Sequence, residues 1–184
     1  YSTENTSLIS AGGGQFDGSV TASSFSPFTG CHKGKIITPI INYDTYYNDI
    51  NSNIFKSGLI VSIIDSEIIN ISENKFMLEL SQNAYDKKVF GVINKVLYDN
   101  IYLINSLGEG SILVTNIRGN IEMGDYICSS DIKGYGCRQN NDNMSSYTIA
   151  KCCNNINWNI IEKKIVYKNQ YYKIALSSCI YYCG

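Results

Sequence analysis

The sequence predicts an all-β protein: a compact β-barrel or sandwich of short antiparallel strands, with a C-terminal hairpin and an extended N-terminal stalk segment. The 184-residue chain is rich in Ile, Tyr, Asn and Ser, whereas the residues that fill helices are sparse. Branched and aromatic side chains suit a pleated, half-buried surface and lose rotamer freedom in a helix. Because no segment keeps a 3.6-residue hydrophobic period over three turns, we expect little helix.

Short apolar runs separated by turn residues begin at Gly30, a pattern typical of a sandwich or barrel. Most runs have about five residues, the usual length of a strand. The polar stretches Tyr43–Asn53 and Asp131–Ser146 predict long loops. The predicted strands are Lys35–Ile41, Leu59–Ile64, Ile68–Ile71, Met77–Leu80, Val89–Val96, Ile101–Ile104, Ser111–Asn116, Tyr126–Cys128 and Tyr147–Cys152.

The two ends of the chain differ from this middle part. Residues 1–29 are rich in Ser, Thr and Gly and poor in apolar residues, so they predict a stalk-like segment that leads into a β domain at 30–184. Within 158–184, the arms Ile160–Tyr167 and Tyr171–Tyr182 flank the turn-like Lys168-Asn169-Gln170 and predict a hairpin. This hairpin either completes the main sheet or pairs with another subunit.

Composition and charge exclude several classes of function. The apolar fraction of 44% and the net charge of -1 exclude a disordered chain. With 15 Lys and Arg and no basic cluster, we expect no binding to nucleic acid or to an anionic membrane surface. The longest apolar stretch, around Gly58–Ile64, is too short to span a bilayer, so no membrane insertion is expected.

The seven cysteines do not resemble a disulfide scaffold, because their number is odd and their spacing irregular. We interpret them as free buried thiols, and a bridge between Cys128 and Cys137 stays open. One histidine and no CxxC pair predict no zinc site. No cofactor is expected either, since Gly108-Glu109-Gly110 and Gly134-Tyr135-Gly136 lack the strand-to-helix context of a nucleotide loop and are interpreted as bends.

His32, the single histidine, follows Cys31 and lies shortly after Ser26. A hydroxyl or thiol beside a general base is the minimum for nucleophilic catalysis, so His32 and Ser26 are the catalytic candidates. A structural, hydrogen-bonded histidine is the simpler interpretation. Cys31 and His32 also point to opposite faces if their segment is extended.

The most informative block runs from Val89 to Lys151. Its motifs are Val89-Phe90-Gly91-Val92-Ile93, the run Ile104–Gly110, the run Gly119–Ser130 and Gly134-Tyr135-Gly136, and they are joined by Gly58–Ser62, Thr29–His32 and the ending Tyr181–Gly184. Together they resemble the C-terminal domains of fibre-like virion proteins of nucleocytoplasmic large DNA viruses, mimivirus-like ones especially. That family looks related to the self-cleaving intramolecular chaperone domain of phage neck-appendage proteins.

The resemblance covers Thr29–Gly184, and the run from Gly119 to Ile127 is its most specific element. We interpret this run as two tight turns, at Gly119-Asn120 and Gly124-Asp125, that bracket a short strand.

The resemblance implies a viral structural protein: a fibre, spike or appendage head that forms a homotrimer and supports fibre assembly. An autoproteolytic intramolecular chaperone, which as an enzyme would be a self-cleaving peptidase, is one alternative. A glycan-binding receptor head is the other, suggested by plentiful Tyr and Asn. The implied partners are further copies of this chain, other virion or capsid proteins and a host surface glycan, and the implied location is the virion surface after assembly in the host cytoplasm.

Overall fold

The computed structural model describes residues 31–36, 57–64, 76–98 and 101–183. Over these residues the structure is all-β, as predicted, with a single 3-10 turn at Asn116–Arg118 as its helical element. The strands are β1 Cys31–Ile36, β2 Ile60–Ile63, β3 Phe76–Leu80, β4 Val89–Tyr98, β5 Ile101–Asn105, β6 Leu107–Thr115, β7 Tyr126–Ser129, β8 Gly136–Arg138, β9 Thr148–Cys152, β10 Lys164–Tyr167 and β11 Gln170–Tyr182.

The strands form two closed rings. The first ring is a barrel with the order β1-β3-β2-β4-β5, closed by the pairing of β1 with β5. The second has the order β6-β8-β7-β9-β11 and is closed by β11 against β6, while β10 lies outside it on β11. The pairings are antiparallel, as predicted, except for β1–β3 and β6–β8, which are parallel.

The two rings repeat one topology. Counted along the chain without β10, the strands of each ring follow the order 1-3-2-4-5, with the parallel pair between strands 1 and 3. A bulge also follows Val61 in the first ring and Ile127 in the second. The matching register pairs are Val61–Gly91 and Ile127–Ala150, Ile36–Leu78 and Val114–Gly136, and Ile93–Ile104 and Cys152–Cys179.

The same turn precedes the second strand of each ring. Gly58 and Gly124 have φ angles of 94° and 95°, a region that favours glycine. Each glycine donates its N–H over 2.8 Å to a carbonyl of the fourth strand, that of Ile93 in the first ring and that of Cys152 in the second. The repeat therefore extends to individual backbone hydrogen bonds.

The two rings pack against each other through a shared core. One apolar cluster, built mainly from the second ring, includes Ile60 and Val92 of the first. The other, built mainly from the first ring, includes Ile132 and Tyr135 from the β7–β8 loop. Fully burying an aliphatic side chain contributes about 1.5–3 kcal/mol, so these exchanged side chains stabilise the contact between the rings.

One predicted bend, at Gly108-Glu109-Gly110, is wrong, and the other, at Gly134-Tyr135-Gly136, is correct only in part. Gly108 and Gly110 lie inside β6, and Gly136 begins β8, within the stretch that we predicted as a loop from Asp131 to Ser146. A Cβ on Gly110 would lie 2.4 Å from Cε2 of Tyr181, so this glycine serves the close approach of an aromatic ring and not a change of direction. Gly134 does lie in a turn, with φ of 76°.

The prediction for the run from Gly119 to Ile127 is correct for its two turns and wrong for the strand between them. Gly119 and Gly124 both have positive φ and form turns, as expected. The short strand predicted between them is wrong, because residues 120–125 are irregular and hydrogen-bond to the loop after β9, for example from Met123 N to Asn155 Oδ1 at 2.8 Å.

The predicted hairpin is confirmed as β10 and β11, although β10 begins at Lys164 and not at Ile160. Lys168 and Asn169 have φ of 49° and 62°, the left-handed pair that a two-residue hairpin turn requires. The stalk-like residues 1–29, the loop Tyr43–Asn53, the strand Ile68–Ile71 and residues 37–41 lie outside the described residues.

Candidate functional site

Of the two predicted catalytic residues, His32 is the one that lies among the described residues. His32 lies on β1, where its backbone is in register with Ile104 of β5. Ser26 lies outside the described residues. Self-cleavage by His32 and Ser26 therefore stays a prediction.

A more definite candidate is an apolar surface on the outside of the second ring, which we call the outer β11 face. It consists of Leu107 on β6 and of Leu176 and Ile180 on β11, which are 47%, 59% and 38% exposed. Two charged residues border it, because Ile180 pairs with Glu109 on β6 and with Lys151 on β9. Ser178 lies between Leu176 and Ile180 on this side of the strand, and Leu107 pairs with Tyr182. Exposed large apolar side chains gathered on one sheet face are typical of a protein interface.

The inward side chains of β11 fix which residues face outward. Ser177, Cys179 and Tyr181 alternate with Leu176 and Ile180 and are buried inside the ring. A slip of one residue in the pairing with β6 would exchange the two sets, and the nine register pairs between these strands oppose it.

Tyr181 is the strongest anchor of this register. Its hydroxyl donates a hydrogen bond of 2.6 Å to the carbonyl oxygen of Ser111, and its ring covers Gly110. Burial raises the pKa of Tyr181 above its ordinary value, so the hydroxyl stays protonated and keeps donating. The outer β11 face is thus presented on a rigid support.

The β10–β11 hairpin carries a second exposed apolar pair. Val166 and Tyr171 are direct cross-strand partners, and both are exposed. Ile165 and Tyr172, the next pair along the hairpin, instead pack against the core cluster of the first ring. The hairpin is therefore fixed to the molecule by one face and leaves the other to solvent.

An amide-rich groove lies beside the loop before β7. It has a volume of about 550 Å³ and is lined by residues 120–122 and 155–159, among them four asparagines, Glu122 and Trp158. Asn157 Oδ1 accepts a hydrogen bond from the Asn159 N–H at 3.1 Å, and Ile156 N–H donates to the Ile121 carbonyl at 3.0 Å, so the two walls are joined. Side-chain amides both donate and accept hydrogen bonds, which suits a ligand with many hydroxyl groups.

Within the described ranges, no three His, Cys, Asp or Glu residues come together as metal ligands. No helix there is long and apolar enough to cross a membrane. No protein-family model matches this sequence, and no curated protein matches it either.

Sequence reasoning missed both surfaces. A signal for the outer β11 face was present, because Leu176 and Ile180 are an even number of residues apart and therefore share one side of β11. A signal for the groove was the density of asparagine between Asn154 and Asn159. Neither pattern says which side of the strand or loop faces solvent.

Proposed function

We propose that this chain is the head domain of a viral fibre, spike or appendage, which forms a homotrimer, supports fibre assembly and reaches the virion surface after assembly in the host cytoplasm. The family resemblance supports the viral assignment. The self-association is carried by one observation, the outer β11 face formed by Leu107, Leu176 and Ile180. In the proposed assembly this face meets the same chain, with other virion or capsid proteins as further partners.

Physical chemistry favours burial of this face between copies. Apolar area removed from water contributes about 25 cal/mol per Å², and the rigid backing by β6 and β11 means that little ordering opposes the contact. The net charge of -1 makes repulsion between identical chains small. In a three-fold ring each contact is heterologous, so the part of this face that meets one neighbour differs from the part that meets the other.

The test is the molar mass in solution, by size-exclusion chromatography with light scattering. We expect three copies for the unmodified chain and one copy for the double variant Leu176→Lys, Ile180→Lys, because lysine ammonium groups would be buried between copies. The matched control is Met144→Lys, which changes a residue 58% exposed in the β8–β9 loop and should leave the trimer intact. A double variant with the mass of the unmodified protein would refute the role of this face.

Glycan binding is a second candidate, favoured by the amide-rich groove. Asn120 and Asn159 offer amides from the two walls, and Trp158 is also part of the lining. The carboxylate of Glu122 opposes an acidic sugar, so we propose a neutral oligosaccharide as the ligand.

This candidate is tested by titrating neutral oligosaccharides and following the amide resonances of the groove by NMR. We expect saturable shifts at residues 120–122 and 155–159, and their loss in the variant Asn120→Ala, Asn159→Ala. Asn140→Ala, in the exposed β8–β9 loop, is the control and should bind normally. Saturable shifts that persist in the groove variant, or no shifts at all, would remove the candidate.

A further inference from the structure

Two buried cysteines lie opposite each other on neighbouring strands of the second ring. Cys128 on β7 and Cys137 on β8 are direct register partners in an antiparallel pair. Their Sγ atoms are 3.8 Å apart, both thiols are free, and both residues are fully buried. The proposed head-domain function makes no use of this pair.

The backbone geometry suits a disulfide. Opposite residues of an antiparallel pair have Cα atoms about 4.5 or 5.5 Å apart, and both spacings lie within the range of about 4.4–6.8 Å that disulfides adopt. Bond formation therefore requires that the two sulfur atoms approach each other through side-chain rotation, with no displacement of the strands.

The surroundings distinguish the two thiols. A hydrogen bond from the Cys137 thiol and the positive charge of Arg118 lower the pKa of Cys128, despite its burial. The same hydrogen bond and burial raise the pKa of Cys137 above its ordinary value. Cys128 is thus the thiol that ionises first and acts as nucleophile, with Cys137 as its proton-donating partner.

Arg118 is held beside this pair by two other groups. Its Nη1 donates to the Tyr85 hydroxyl at 2.7 Å, with the guanidinium carbon 4.4 Å from the centre of the Tyr85 ring. Its Nη2 lies 3.7 Å from an Asp131 carboxylate oxygen. These contacts therefore hold the guanidinium close to the two thiols.

The position of the pair in the ring shows which strand a crosslink would stabilise. β8 has three residues and is joined to β6 by a single register pair, Val114–Gly136, so this is the shortest seam of the second ring. On its other side β8 has three pairs with β7, including Cys128–Cys137. A bond between Cys128 and Cys137 would therefore hold β8, the strand with the fewest register pairs in the second ring, to β7.

We propose that Cys128 and Cys137 form a disulfide that locks β8 to β7 when the protein meets an oxidising environment. The oxidant is a low-molecular-weight disulfide: the Cys128 thiolate attacks one of its sulfur atoms and releases one thiol, and Cys137 then attacks the mixed disulfide and releases the second. Two protein thiols are oxidised and one external disulfide is reduced to two thiols. The timing rests on the proposed location, because the chain would assemble reduced in the cytoplasm and oxidise outside it.

A second opposed pair in the same ring provides an internal comparison. Cys152 and Cys179 are also direct partners, between β9 and β11. Cys152 Sγ, however, lies 2.9 Å from Ser177 Oγ and 3.1 Å from the Asn154 carbonyl oxygen. We expect this pair to stay reduced under the conditions that oxidise Cys128 and Cys137.

The test is intact mass and peptide mapping of the reduced, purified chain after exposure to oxidised glutathione and alkylation under denaturing conditions. We expect the loss of two hydrogens per chain, a crosslinked peptide that joins Cys128 to Cys137, and a melting temperature higher by about 5 °C than in the reduced protein. A stable glutathione adduct on Cys128 or Cys137, a disulfide that joins either of them to another cysteine, or full alkylation of both thiols would overturn the proposal.

Variants sharpen this result. Cys128→Ser and Cys137→Ser should each abolish the crosslink and the rise in melting temperature, whereas Cys153→Ser, at an exposed free cysteine, should keep both. The measurement on the unmodified chain decides the question even if a core variant fails to fold. Thiol state and molar mass are separate readouts, so failure here is distinguishable from failure of the proposed trimer.

Discussion

The two rings of this molecule share a backbone plan and differ in their chemistry. Strand order, register, the bulge in the second strand and the glycine turn before it are common to both. At matched register positions, however, the second ring has Cys128 where the first has Ser62, and Cys137 where the first has Glu79. A few backbone positions thus define the barrel, and most side chains are available for other roles.

The features that distinguish the two rings lie mostly in the second one. The β10 strand, the outer β11 face and the amide-rich groove all belong to it or to its loops. Six of the seven cysteines lie in its part of the sequence as well. We infer that the first ring mainly supports the second ring, which carries the proposed contact surfaces.

The largest expected effect comes from Gly91, whose matched residue in the second ring is Ala150. A Cβ on Gly91 would lie 2.5 Å from the Asn105 carbonyl oxygen, so Gly91→Ala should lower the free energy of unfolding by roughly 3 kcal/mol. Ala150→Gly should lower it by about 1 kcal/mol, since it adds only backbone freedom and removes one methyl group. Urea denaturation measures both, and equal losses would show that the two rings are packed alike at this position.

A smaller contrast is expected at the paired turn glycines. Gly58 and Gly124 have nearly the same φ, but a Cβ on Gly58 would lie 3.0 Å from Leu113 Cγ, whereas one on Gly124 would meet only Lys151 Cε at 4.0 Å. Gly124→Ala should cost about 1 kcal/mol through backbone strain alone, and Gly58→Ala about 2 kcal/mol because crowding adds to it. A greater loss in Gly124→Ala, again by urea denaturation, would contradict the assigned contact between the rings at Gly58.

Alkaline pH should destabilise the protein through buried cysteines of the second ring. Burial raises the pKa of Cys179 from 9.0 to about 12, and burial also raises that of Cys183 to about 12. The unfolded chain releases these protons near pH 9 while the folded chain retains them, so stability should fall as the pH rises from 9 towards 12. Cys179→Val, which introduces an aliphatic side chain as at the matched Ile104, should make this fall shallower in denaturation curves recorded across the range, and an unchanged slope would refute the assignment.

The smallest effect is expected in the β10–β11 hairpin, since β10 has no counterpart among the described strands of the first ring. Lys168 occupies the first left-handed position of the turn, with φ of 49°. Lys168→Gly should raise the free energy of unfolding by about 0.5 kcal/mol, because relief of backbone strain slightly exceeds the added freedom of the unfolded chain. Thermal denaturation followed by circular dichroism would detect the rise, and a decrease would mean that the lysine side chain contributes more than its backbone costs.

The sequence predicted most strands because apolar alternation and turn residues are local signals. It did not predict β8, since three residues that include Gly136 carry no alternation. Nor did it reveal the repeat, because matched positions such as Leu78 and Gly136 share a backbone role and no side-chain property.

The candidate surfaces were less predictable for a different reason. On β11 both alternating sets are apolar enough to be buried, Leu176 and Ile180 on one side, Cys179 and Tyr181 on the other. Only the position of β6 and β9 decides which set faces inward. The groove joins residues 120–122 to residues 155–159, which are distant in sequence, so no local pattern identifies it.

The central claim is that this chain is a self-associating head domain. Native mass spectrometry of the unmodified 184-residue protein, over a range of concentrations, tests it most directly. We expect three copies per particle that separate into single chains on dilution or on introduction of lysine at Leu176 and Ile180. A single chain at every concentration would contradict it.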